Sequence, residues 1–69
     1  MMTLQKIEKQ TQNNYVKLLQ FQDETAEQED RKFGVEIYLH TSNNIVATIW
    51  SGMRYKSDMA FDALVKNYI

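Results

Sequence analysis

Phe33–Tyr55 reads FGVEIYLHTSNNIVATIWSGMRY, and its alternation decides the fold. Phe33, Val35, Ile37 and Leu39 point one way, while Glu36, Tyr38 and His40 point the other. Downstream, Ile45, Ala47, Ile49 and Met53 oppose Val46, Thr48 and Trp50. Period-2 alternation rich in β-branched and aromatic residues, on either side of Ser42-Asn43-Asn44, predicts a half-buried β-hairpin. A two-residue Asn43-Asn44 turn pairs Ile37 with Trp50 and leaves apolar side chains on both faces. A three-residue loop pairs Ile37 with Ile49 and Leu39 with Ala47, which gathers one apolar face, and Asn44 suits the left-handed position such a loop needs. The three-residue register is the one expected, and it turns Trp50 outward.

Outward from the hairpin, Ser57 is a good N-cap and Asp58 suits the positive end of a helix dipole. Phe61, Leu64, Val65 and Tyr68 then recur at helical spacing, which predicts a helix over 58–68 whose stripe covers the apolar hairpin face. Lys66 falls where a cation is favoured. On the other side, residues 15–22 alternate Tyr15, Leu19 and Phe21 against Val16, Leu18 and Gln20 and read as a strand. The opening segment reads as a short helix over 2–11, ended by Asn13 and Asn14, because Gln, Lys and Glu favour helices. A weak edge strand, or one helix from residue 3 to 22, competes with that reading.

Cysteine is absent and His40 is the lone histidine, so disulfides, thiolate sites and multi-histidine metal centres are excluded. With 43% hydrophobic and 12% aromatic residues the composition is globular. No apolar run approaches membrane-spanning length and no signal-peptide core is present, so a soluble, cytoplasmic protein is expected. A chain of this length buries only about 60% of its unfolded surface and can hardly build a catalytic cleft. His40 lies near Ser42, but nothing resembles a nucleophile elbow, so no enzyme activity and no cofactor are expected.

Charge is unevenly spread. Of nine acids, Asp23, Glu24, Glu27, Glu29 and Asp30 crowd into residues 23–30 with no base among them, leaving four acids against all eight bases elsewhere. The run lacks the alternating ligands and the glycine of an EF-hand loop, so it reads as a solvated connection, or the acidic first turn of a short helix opening at Thr25, and as a recognition element rather than a metal site.

The expected architecture is therefore a small single α+β domain spanning 1–69. Its three-stranded antiparallel sheet is built on the hairpin 33–55, with an N-terminal and a C-terminal helix on one face. The other face is left open and carries Glu36, Tyr38, His40, Val46, Thr48 and Trp50. Exposed aromatics of this size mark a surface that a partner or a second copy covers.

The α-β-β-β-α order, with Gly52, Arg54 and Lys56 ahead of the last helix, resembles the double-stranded-RNA-binding domain. That resemblance implies phosphate contacts from this region, although Asp58 stands where the family carries bases. Tyr15-Val16-Lys17-Leu18, the hairpin, the acidic run 23–30 and the helix 58–68 together resemble the layout of small phage-encoded anti-CRISPR proteins. This second resemblance implies an acidic protein surface that occupies a site meant for DNA. Weighing the two, the expectation is a non-enzymatic phage-type protein that inhibits a host macromolecule, such as a nuclease or a CRISPR-type ribonucleoprotein complex. Its expected contacts are Asp23, Glu24, Glu27, Glu29 and Asp30, together with Glu36, Tyr38, His40, Val46 and Trp50 on the open face. A homodimer through that face, or a nucleic-acid-binding module using Arg31, Lys32, Arg54 and Lys56, are the rival arrangements. The near-neutral charge argues against direct nucleic-acid binding.

Overall fold

The opening segment MTLQKIEKQ is a strand, not a helix. In a computed structural model describing residues 1–12, 14–40 and 44–69, β1 (Met2–Gln10) pairs antiparallel with β2 (Tyr15–Gln22) along its whole length. A bulge at Leu4, between Thr3 and Gln5, interrupts that ladder. Thr11 closes the connection: its amide donates to the Asn14 carbonyl at 2.7 Å, and the Asn14 amide donates back to the Thr11 hydroxyl. Asn13, where the helix was expected to end, lies outside the described residues. The helix propensity of Gln, Lys and Glu is worth only tenths of a kcal/mol per residue. A cross-strand ladder that also places Ile7 against the core outweighs it.

Among the described residues four strands form one antiparallel meander in the order β1-β2-β3-β4, with β3 at Phe33–Leu39 and β4 at Ala47–Ser51. The expected three-stranded sheet with two helices is thereby corrected to four strands and one helix, α1 (Arg54–Tyr68). Both the dsRNA-binding-domain and anti-CRISPR layouts begin with a helix, and here a strand stands in its place.

The hairpin register also differs. Ile37 pairs with Ala47 and Val35 with Ile49, two residues off the expected alignment. Pairing ends early because the Val46 amide already donates to the Ile37 carbonyl at 2.8 Å, which leaves a connection longer than three residues. The turn expected at Ser42-Asn43-Asn44 lies outside the described residues except for Asn44. A shift of two residues preserves face parity, so Val35, Ile37, Ala47 and Ile49 still share one face and Trp50 the other.

The helix starts earlier than its sequence suggests. Met53 occupies the N-cap position without a side-chain bond, and Ser57 is buried inside the helix instead of capping it. Ser57 has a different partner. Gln20, fully buried on β2, donates from its amide nitrogen to the Ser57 hydroxyl at 3.0 Å and to an Asp58 carboxylate oxygen at 2.8 Å. The Gln5 amide on β1 donates in turn to the Gln20 carbonyl. This chain fixes α1 over β2 at its N-terminal end. Beyond it, Phe61 sinks into Val16, Leu18, Val35 and Ile37, with Ile7, Leu39, Leu64 and Val65 at the margin. Tyr68, the fourth member of the expected stripe, is exposed.

Candidate functional site

β2 alternates, so the side opposite the helix receives Lys17, Leu19 and Phe21. The ladder sets Lys17 opposite Tyr38, Leu19 opposite Glu36, and Phe21 opposite Gly34. Gly34 in turn faces Trp50 on β4. A glycine in the middle of a sheet marks a close approach. Here the Phe21 ring lies across it, so that a Cβ at residue 34 would sit 2.5 Å from the ring tip. Phe21 then meets Trp50 edge to face, with ring centroids 5.5 Å apart and planes at 88°, a favoured arrangement for the ring quadrupoles.

The acidic segment folds back onto this end of the sheet. Its neck is closed where the Asp23 amide donates to the Lys32 carbonyl at 2.8 Å. Within the neck, one Asp23 oxygen accepts from both the amide and the hydroxyl of Thr25, at 3.0 and 2.7 Å. These two bonds hold the Asp23 carboxyl below its usual range. A short 3-10 turn at Glu29–Arg31 carries Arg31 over the face of Trp50, 5.2 Å from the ring centroid. The Glu29 carbonyl lies so close to Gly52 that a Cβ there would be 2.6 Å from it. The segment expected as a solvated connection or a recognition element is mostly exposed and rests on β4 through the Glu29–Arg31 turn. Between it and Trp50 opens a recess of about 320 Å³ bounded by Asp23, Ala26, Glu27, Gln28 and Arg31.

The sequence-predicted residues divide accordingly. Of the acids, Asp23 and Glu27 line the Trp50 recess, and Glu24, Glu27, Glu29 and Asp30 are exposed. Glu24 lies 3.5 Å from the N-terminal ammonium, and among the described residues the other three make no ion pair. Trp50 is 40% exposed, enough to be touched and too little to be free. Glu36 and Tyr38 share its face further along β3, where the Lys17 ammonium sits 4.1 Å above the Tyr38 ring. Burial and the nearby Glu36 carboxylate raise the Tyr38 phenol above its ordinary value.

Two expected members leave the face. His40 follows the end of β3 in the left-handed conformation, at φ 69°, and its amide donates to the Tyr15 carbonyl at 2.8 Å. That turn carries the imidazole off the strand and to the far end of the sheet, beside a recess of about 310 Å³ near the C-terminal end of α1. Val46 precedes β4 and is exposed outside any strand.

Phe21 and Gly34 were missed as parts of the site. The glycine within the strand was the available signal, but it identifies a partner only once the β2–β3 register is known. Arg31 belongs by sequence to the basic residues of the nucleic-acid alternative. Of that set, Arg31 lies on Trp50, Lys32 donates to the Ala26 carbonyl at 3.3 Å, and Arg54 lies 3.9 Å from Asp58.

No three carboxylate or imidazole groups converge as a metal site among the described residues, and no helix is long and apolar enough to cross a membrane. No family model matches the chain, and no curated protein or solved structure is similar to it at a significant level.

Proposed function

We propose that this chain is a non-enzymatic interaction protein of the phage-encoded type, binding and inhibiting a host macromolecule in the host cytoplasm. The observation that carries this reading is the seating of the acidic segment on Trp50. Exposed carboxylates and a half-exposed aromatic anchor, backed by Phe21 and Gly34, occupy one end of one surface. Such a pairing divides the work of recognition. Long-range attraction from Glu24, Glu27, Glu29 and Asp30 steers a basic groove into contact. Trp50 then supplies the desolvated contact that slows release, as buried aromatic anchors do in other interfaces. A groove built for nucleic-acid phosphate is the kind of partner surface that fits, and a nuclease or a CRISPR-type ribonucleoprotein is the concrete version.

The test is retention of host proteins by the immobilised chain, read by quantitative mass spectrometry. It compares the parent with Trp50→Ala and with a variant in which all five acids of the segment are neutralised to Asn or Gln. A nucleic-acid-binding protein held by the parent, lost by both variants and released by duplex DNA supports the reading. Its nuclease activity should fall on adding the parent chain. Identical retention by all three proteins overturns it.

A further inference from the structure

β1 ends the sheet, so among the described strands one of its edges has no neighbour. Beyond the Leu4 bulge it pairs regularly with β2 from Gln5 to Gln10. Within that stretch Lys6 and Glu8 are exposed on the open face with their charged groups 3.6 Å apart. Ile7 lies between them on the helix side, half-buried at the margin of the core.

We propose that two copies of this chain join edge to edge through β1, antiparallel, about a two-fold axis that passes at Ile7. In this register Ile7 meets Ile7, and Lys6 of each copy faces Glu8 of the other. Gln5 faces Lys9. The row Ile7–Leu18–Ile37 then continues across the axis, and one sheet runs through both copies with both helices on the same side.

Charge selects that register over its neighbours. An axis at Lys6 sets lysine against lysine, and an axis at Glu8 sets glutamate against glutamate. A shift by one residue flips the second copy and sets Ile7 against Lys6 or Glu8. Like charges directly opposite destabilise a strand pair and unlike charges support it. Lysine on an edge ordinarily discourages pairing with stray strands. Here the alternation of Lys6 and Glu8 admits the strand's own copy in a single alignment. The opposite edge offers no such code, because β4 spans five residues, Ala47–Ser51, none of them charged. The acidic segment and Trp50 stay exposed in the dimer, so this inference stands apart from the proposed function.

Sedimentation velocity of the pure chain, from micromolar to millimolar concentration, tests it. A monomer–dimer equilibrium is expected. Lys6→Glu and Glu8→Lys should each weaken it about tenfold, since each reverses one charge in both symmetry-related pairs. Mixing the two variants should restore dimerisation as a heterodimer, because the carboxylates of one chain then face the ammonium groups of the other. A chain monomeric at every concentration overturns the proposal, as does a mixture no tighter than its components. A dimer that ignores both charge reversals and shifts Trp50 emission on dilution overturns it in favour of face-to-face packing. Should either variant fail to fold by circular dichroism, an isotope-filtered contact between Ile7 side chains in a half-labelled parent sample decides, and its absence overturns the register.

Discussion

The two faces of the sheet each bury a phenylalanine ring, Phe61 on one and Phe21 on the other, and keep it from water by different means. On the helix face Phe61 fills the space above Val16, Leu18, Val35 and Ile37, and the Gln20 bonds fix where the helix lies. Among the described residues no helix covers the open face. Phe21 is buried nearly as deeply as Phe61, yet its neighbours are the Gly34 backbone and the Trp50 ring, over which the acidic segment lays Arg31. The difference lies in what can be removed. A packed helix is part of the cooperative core, whereas a loop held by a few hydrogen bonds and a cation–ring contact belongs to the low end of local stability. Burial alone therefore does not separate core from surface here. The nature of the cover does.

Truncating Phe61 should produce the largest effect. Phe61→Ala removes the central contact of the helix and should cost about 3–5 kcal/mol, a large share of what so small a domain possesses. Urea unfolding should find the variant largely unfolded without denaturant. Trp50→Ala, at a position 40% exposed, should leave a cooperative transition in place. Equal losses at the two positions would erase the distinction between the faces.

Next come two substitutions that attack the distinctive device of each face. Gln20→Leu keeps the volume but strips the Ser57 hydroxyl and the Asp58 carboxylate of their donor and the Gln5 amide of its acceptor. About 1–3 kcal/mol should be lost, the desolvation cost of orphaned polar groups. Gly34→Val drives a branched side chain into the Phe21 ring and should cost a similar 1–3 kcal/mol of overpacking strain. The two variants should differ in the near-ultraviolet spectrum. Gly34→Val perturbs the Trp50 signal while Gln20→Leu leaves it as it was. A Trp50 signal unmoved by Gly34→Val would break the claim that Phe21, Gly34 and Trp50 form one stack.

How much of this was legible follows the same division. The strand at 15–22, the outward placement of Trp50 and the cover of the apolar face by Phe61, Leu64 and Val65 were all readable, because period 2 and period 3.6 report burial directly. The strand at Met2–Gln10 was obscured because an edge strand faces water with Lys6, Glu8 and Lys9, the residues that also favour helices. Ser57 looked like a cap because serine before an acid usually is one. Its hydroxyl is instead claimed by Gln20, thirty-seven residues away, a contact no local pattern reveals. The same limit hid the site. The five acids were visible as a run, but their seating on Trp50 depends on the β2–β3–β4 register and on Gly52 admitting the Glu29 carbonyl.

The smallest expected effect separates the loop from the sheet by pH. Thr25 holds the Asp23 carboxyl below its ordinary pKa through a hydroxyl and an amide bond. A folded value below the unfolded one means that the contact's contribution is present above the ordinary carboxylate range and is lost as pH falls through the lowered value. Glu8 behaves in the same sense, because the Tyr15 hydroxyl donates to it at 2.7 Å and Lys6 and Lys17 lie nearby. Tyr15 itself is raised by that carboxylate, so its part is present below the ordinary tyrosine range and lost as pH climbs through the raised value. Acid should therefore loosen the neck of the 23–32 loop while the helix face holds. The Thr25 amide resonance should titrate with a midpoint below that of an ordinary aspartate, and Arg31 should leave Trp50 over the same interval, read as a change in tryptophan emission. The amides of Leu18 and Val35 should stay unmoved. Asp23→Asn should remove the Thr25 titration and leave that of Glu8. If the Leu18 and Val35 amides move together with Thr25, the loop is part of the cooperative core, and the two faces of the sheet are held by the same means after all.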